Sequence, residues 1–156
     1  MTAEAYDSQT ASEIIAGFGN RPEMLVQILL AFMDSFGWIP EQAIRQLADE
    51  LNLSRADVHG VVSFYHDLRT SPPGRHVVKI CQAEACQAMG CRDLTAHAEN
   101  TLGVRLRSGN ESVTLEPVYC LGNCACSPAV MIDERPYGRV DKARFDALVA
   151  AFAGGG

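Results

Sequence analysis

The stretch His76-Val77-Val78-Lys79-Ile80-Cys81-Gln82-Ala83-Glu84-Ala85-Cys86 decides how this chain is read. Val77, Val78 and Ile80 favour a strand, and that strand delivers Cys81 at its end. Further on, Val113-Thr114-Leu115-Glu116-Pro117-Val118 reads as a second strand, with Pro117 marking a strand end or edge. It delivers Cys120, and Cys124 follows. The pattern is Cys81-x4-Cys86, 33 residues, then Cys120-x3-Cys124. Each pair begins where a predicted strand ends, so both can open toward one point above the sheet edge.

Outward from the strands, apolar spacing predicts a helix over roughly 87–102, with Leu94, Ala98 and Leu102 inward and Gly103 at its C-terminus. Residues 129–133 and 138–140 read as a hairpin around Glu134-Arg135-Pro136. Asp141 can cap a final helix carrying Phe145, Leu148, Val149 and Phe152, and the Gly154-Gly155-Gly156 tail should fray. The order β-α-β-β-β-α is that of a small α/β sandwich.

Upstream the pattern changes. Thr70-Ser71-Pro72-Pro73-Gly74 cannot continue a helix and marks a boundary. Residues 20–70 read as a lobe of three helices. Asn20 caps the first, with Pro22 in its first turn, Glu23 at the capping-box position and Met24, Leu25, Ile28, Leu29, Phe32 and Phe36 at helical spacing. The turn Ile39-Pro40-Glu41 starts the second, with Ile44, Leu47, Ala48 and Leu51 on one face. Ser54-Arg55-Ala56-Asp57 is a capping box for the third, which runs through Val58, Val61, Val62 and Tyr65 and places His59 and His66 on one face. Residues 1–19 read as a polar tail without fixed structure.

The bulk properties exclude several functions. Hydrophobic residues are 47% and charged residues 21% of the 156, a globular composition. The net charge of −6 and the absence of an arginine cluster argue against nucleic acid. The most apolar run, Met24 to Met33, is too short for a membrane span, and the N-terminus carries no signal-peptide pattern. The expectation is a soluble, cytoplasmic protein, and there six cysteines point to metal or redox work rather than a disulfide framework.

Four thiolates from two loops suit a [2Fe–2S] unit, in which each iron takes two sulfurs. Gly122 lets the second loop bend closely around inorganic sulfide. Structural zinc is the competing reading, although both pairs are wider than the usual Cys-x2-Cys, and simple structural thiols are a third. A redox dithiol would want Cys-x-x-Cys, and a Rieske centre two histidines that His59, His66, His76 and His97 are not placed to supply. Cys91 reads as a small buried hydrophobe, and Cys126 as a packed thiol behind the site or, alternatively, a substitute for Cys124. Glu84, between the first two cysteines, adds negative charge beside the site and would lower a cluster's potential. No phosphate-cradling loop or nucleophile with a base is present, so no catalytic residue is expected.

The segments Phe36-Gly37-Trp38-Ile39-Pro40, Val61-Val62-Ser63-Phe64-Tyr65, Cys81-x4-Cys86 and Cys120-Leu121-Gly122-x-Cys124 together resemble the thioredoxin-like [2Fe–2S] subunit of NADH:quinone oxidoreductases, NAD-reducing hydrogenases and soluble NAD-dependent formate dehydrogenases. The resemblance covers roughly residues 20–152. It implies a thioredoxin-like α/β domain over 71–153, with a mixed four-stranded sheet, behind the helical lobe. It also implies a [2Fe–2S] cluster on Cys81, Cys86, Cys120 and Cys124. Within the family, residues 53–60, 83–87 and 123–129 look most like the gamma subunit of soluble formate dehydrogenases. That implies a non-catalytic electron-transfer subunit of an enzyme turning formate and NAD into CO2 and NADH. Its implied partners are an NAD-binding subunit with FMN and a [4Fe–4S] cluster, and a molybdenum- or tungsten-pterin alpha subunit. The alternatives are the equivalent subunit of a quinone oxidoreductase or hydrogenase, or a free-standing ferredoxin. For Trp38, Phe64 and Tyr65 the residues allow either core packing or docking on the flavoprotein. A lobe of three short helices, with little core of its own, favours docking.

Overall fold

The computed structural model describes residues 6–152, and the glycine tail expected to fray lies outside them. The chain forms two compact units, the first ending at Pro72 and the second beginning at Pro73.

The first unit holds four α-helices: α1 (Ser8–Gly17), α2 (Leu25–Phe36), α3 (Glu41–Glu50) and α4 (Arg55–Phe64). A 3-10 turn, Pro22–Met24, leads into α2. Helix α1 corrects the reading of residues 1–19 as an unstructured tail. Asp7 caps it by accepting the N–H of Thr10 at 2.8 Å, and Ala11 and Ile15 are fully buried. Two fully buried residues in ten make too weak a stripe to stand out among Ser, Thr, Gln and Glu. Asn20 is not the cap of the next helix. It has φ 51° and donates its N–H to Ile15, closing α1 instead. Ser54 and Asp57 do form the expected reciprocal capping box on α4. That helix ends at Phe64, so His66 lies beyond it and does not share a helical face with His59. Sixteen buried hydrophobic residues, from Ala11 to Leu68, make a core belonging to this unit, larger than three helices alone would supply.

The second unit is a five-stranded sheet in the order β2-β3-β1-β4-β5, made of β1 (His76–Cys81), β2 (Ser108–Gly109), β3 (Val113–Val118), β4 (Val130–Ile132) and β5 (Arg135–Tyr137). Strand β1 is central. It pairs parallel with β3, Cys81 opposite Val118, and antiparallel with β4, so the sheet is mixed as expected. The extra strand is the two-residue β2, too short for any periodic signal. It covers only Thr114 and Leu115, leaving β3 an edge at Pro117. The hairpin falls earlier than the sequence pattern places it. Asp133 and Glu134, at φ 47° and 69°, make the turn, so Arg135–Tyr137 is strand and residues 138–140 follow it.

The parallel β1–β3 pair needs a crossover. Two helices supply it, α5 (Glu84–Ala88) and α6 (Cys91–Leu102), separated by Gly90 in a left-handed conformation. The single helix read over 87–102 is therefore broken, and its first piece starts at Glu84, between the first two cysteines. Helix α7 (Lys142–Val149) is capped by Asp141, and its Phe145 and Val149 pack with Val78, Ile80, Leu94 and Leu115 in this unit's core. Among the described residues no helix is long and apolar enough to cross a membrane.

Candidate metal centre

Cys81 closes β1, and Cys86 sits in the short helix α5 that begins three residues later. Both are 2% exposed and pack in an apolar pocket with Cys91 and Ala129, against Ala83, Val118 and Leu121. Burial pushes the Cys81 thiol above its ordinary pKa. The neighbouring Cys86 sulfur raises it further, while N–H groups of Ala83 and Leu121 pull the other way. Leu121 belongs to the second cysteine loop, so the two loops meet at Cys81.

The second pair follows β3. Cys120 and Cys124 are exposed, with their sulfurs 3.8 Å apart. Two sulfurs on one tetrahedral metal with bonds of about 2.3 Å lie about 3.8 Å apart, so this pair already has the spacing a shared metal requires. The loop between them is built by unusual backbone. Cys120 has φ 132°, a region that side chains other than glycine rarely adopt, and Gly122 has φ 70°. That bend lets the Gly122 N–H donate to Cys120 Sγ at 3.3 Å. The Cys124 thiol is raised first by its hydrogen bond with Cys120 and then by that sulfur's charge, with a weaker contribution from Cys86.

Cys86 and Cys124 are thus electrostatic neighbours across the two loops. A side chain links them as well. Ser127 donates its hydroxyl to the Cys124 carbonyl at 2.8 Å, and Cys86 Sγ lies 3.5 Å from the same oxygen. Among the described residues no three His, Cys, Asp or Glu side chains are grouped as a single ion would take them. The thiols come as two pairs, one buried and one exposed. Two pairs are the donor set a [2Fe–2S] cluster uses, and the residues fit that group. It would supply one-electron storage there, while the chain supplies four sulfurs, the Gly122 N–H and an apolar floor.

The remaining cysteines separate cleanly. Cys91 is fully buried behind Cys86, as its place in the sequence leads one to expect. Cys126 ends the 3-10 turn Cys124–Cys126, in which successive residues rotate by about 120°, so its side chain leaves the turn in a different direction from that of Cys124. It packs instead against Gly138, where an added Cβ would come within 2.6 Å of the Cys126 Cβ and 2.7 Å of the Asn123 side chain. Arg139 donates to the Cys126 carbonyl at 2.6 Å and Val140 to Pro128 at 3.0 Å, so residues 138–140 strap the second cysteine loop. Sequence reasoning missed both Ser127 and this strap. Ser127 sits three residues from Cys124 and could have been noticed, whereas Gly138 carries no local signal. His76 and His97 pair with Asp133 and Asp146, at 2.7 and 2.6 Å, and play no part at the cysteines.

The thioredoxin-like [2Fe-2S] ferredoxin family matches residues 11–153. An NADH-quinone oxidoreductase subunit of Buchnera aphidicola subsp. Baizongia pistaciae is 30% identical over 141 residues, covering 89% of this chain and 82% of that one. The corresponding NADH-quinone oxidoreductase subunit of Pseudomonas aeruginosa is 36% identical over 106 residues, and the match spans 67% of this chain and 64% of that protein. Among solved structures, an air-oxidized NAD+-reducing [NiFe]-hydrogenase contains a similar fold. The TM-score is 0.66 at 24% identity, over 81% of this chain and 22% of that longer one. With the match extending over nearly its whole length, this protein belongs to the thioredoxin-like [2Fe–2S] ferredoxin family, and its cofactor is a [2Fe–2S] cluster.

Proposed function

We propose that Cys81, Cys86, Cys120 and Cys124 hold the cluster and that the chain is the electron-transfer subunit of an NAD-linked oxidoreductase complex, exchanging single electrons with a partner's flavin. The observation that carries the reading is the pairing of the thiols at the ends of two adjacent parallel strands, with one pair buried and the other open at the surface. A buried pair anchors a metal group away from water. An exposed pair brings it within reach of a redox partner. No group in the site is arranged as a nucleophile or general base, so the chain's own residues bind and orient the metal group and do no chemistry on a substrate.

The names of the relatives favour a complex of the NADH–quinone oxidoreductase type. The narrower reading, the gamma subunit of a cytoplasmic formate dehydrogenase with a pterin-bearing partner, rests on residues 53–60, 83–87 and 123–129 alone. The relatives compared above do not carry that name, and the broader reading is the one adopted. Docking on the flavoprotein is supported by Phe64 and Tyr65. They are 72% and 44% exposed, with ring centroids 5.2 Å apart, whereas Trp38 packs into the first unit's core. Affinity purification of the native chain tests the assignment. A co-purifying flavoprotein with quinone-reductase subunits supports it, a pterin protein would restore the formate reading, and a chain that purifies alone would refute membership of a complex.

A further inference from the structure

Between the two cysteine loops stands one hydroxyl. Ser127 Oγ donates to the Cys124 carbonyl at 2.8 Å, and the thiol of Cys86 reaches the same oxygen at 3.5 Å. As a thiol, Cys86 is the donor in that second contact. A metal-bound thiolate has no proton to give, and the direction of the contact must reverse or the contact must lapse.

We propose that Ser127 is a positioning residue for electron transfer: with Cys86 bound as a thiolate, the hydroxyl turns from the Cys124 carbonyl to Cys86 Sγ, donates to it, and raises the reduction potential of the site. The inference rests on the reading of Cys86 and Cys124 as ligands. Three observations favour the turn. A hydrogen bond to an anionic sulfur is stronger than one to a neutral carbonyl. The carbonyl given up belongs to an exposed residue, where water can replace the donor, whereas Cys86 is 2% exposed and has little access to water. The surroundings of Cys86 are apolar, formed by Cys81, Cys91, Ala129, Val118 and Leu121, so one donor there counts for more than it would at the surface. Cys91 shares that pocket, and its weak S–H is directed to Gln82 Oε1 at 4.0 Å.

A cluster held by these cysteines would take one electron from the partner's flavin. No bond forms or breaks, and the proton stays on Ser127. Added negative charge would spread onto the sulfurs, and the Ser127 donor would stabilise the reduced form more than the oxidised form, which moves the potential upward.

The test is a redox titration of the full chain with its cluster in place, dithionite as reductant, followed by visible absorption and by EPR of the reduced state. Ser127→Ala should titrate at a lower potential than the wild type, and Ser127→Thr, which keeps the hydroxyl, should stay near it. Ser127→Gly provides a second chain without the hydroxyl and should shift the same way. A cluster-bearing alanine or glycine variant titrating at the wild-type potential would overturn the role of Ser127 while leaving the ligands intact. So would an equal fall in the threonine variant. Loss of the cluster from both hydroxyl-free variants, with the threonine variant loaded, would make Ser127 a structural brace and overturn the proposal too. Wild-type protein free of iron and sulfide would overturn the ligand reading, and this inference with it.

Discussion

A methyl group on Gly138 would stand 2.6 Å from the Cβ of Cys126, closer than two carbon atoms of separate residues can approach. Gly138 therefore sets how closely the strap lies over the turn that carries Cys124. Gly138→Ala must push that turn outward or tilt the strap. Overpacking of this kind costs about 1–3 kcal/mol, and here the displaced segment is a cysteine loop. The expected result is a chain with less iron per protein and a lower melting temperature. Iron assay and thermal unfolding, run on both chains, check it, and unchanged iron content would separate the strap from the site.

The cysteines should divide four against two. Cys126→Ala and Cys91→Ala should keep the visible and EPR spectra, the second with a loss of stability of about 1–2 kcal/mol because its thiol is fully buried. Cys124→Ser should change the spectra or lose the cluster. A Cys126→Ala chain without its cluster, beside a Cys124→Ser chain that keeps an unaltered one, would show that Cys126, not Cys124, is the ligand.

Asp133 ties the β4–β5 turn to the start of β1. It accepts from His76 Nδ1 at 2.7 Å and from the Val77 N–H at 2.9 Å, and the His76 ring stacks on Phe152 at 4.2 Å. Burial pushes this carboxyl up, but the hydrogen bonds from His76 and Val77 outweigh it and hold the group below the ordinary carboxylate value. Because the folded value is depressed, the unfolded chain takes up the proton first as pH falls. The contribution is complete above the ordinary carboxylate value of about 3.9 and is lost as pH drops through the lower folded value. Wild-type stability should therefore decline more steeply below about pH 4 than that of Asp133→Asn. Parallel curves in urea titrations at a series of pH values would contradict this.

Phe64 is exposed at the end of α4 and contributes little to the first unit's own core. Phe64→Ser should leave the melting temperature within a degree or two while weakening co-purification with the flavoprotein. Full retention of the partner would move the docking surface elsewhere. Because each unit has its own core, a chain beginning at Pro73 should still take up a cluster.

The placement of the two cysteine pairs is legible because its signal is local. Two strands rich in valine each lead into a cysteine pair, and spacing alone carries that. Ser54 and Asp57 announced a helix start for the same reason. What escaped reading depends on distant residues or on very short elements. Helix α1 fully buries just Ala11 and Ile15, with Ile14 half-buried beside them, and the two-residue β2 exists because Thr114 and Leu115 hold it. Pro136 reads as a turn residue in the sequence, yet it lies in β5 on the sheet edge, where proline is tolerated. Gly138 matters through Cys126, twelve positions earlier, and no window along the sequence joins them.

On the proposed reading, two pairs of cysteine sulfurs share a pair of iron atoms. Iron and acid-labile sulfide, quantified in the purified chain and in Cys120→Ser, test it most directly. The prediction is two iron and two sulfide per wild-type chain, with an altered or absent visible spectrum in the variant. One zinc per chain without sulfide, or a Cys120→Ser spectrum identical to the wild type, would contradict it.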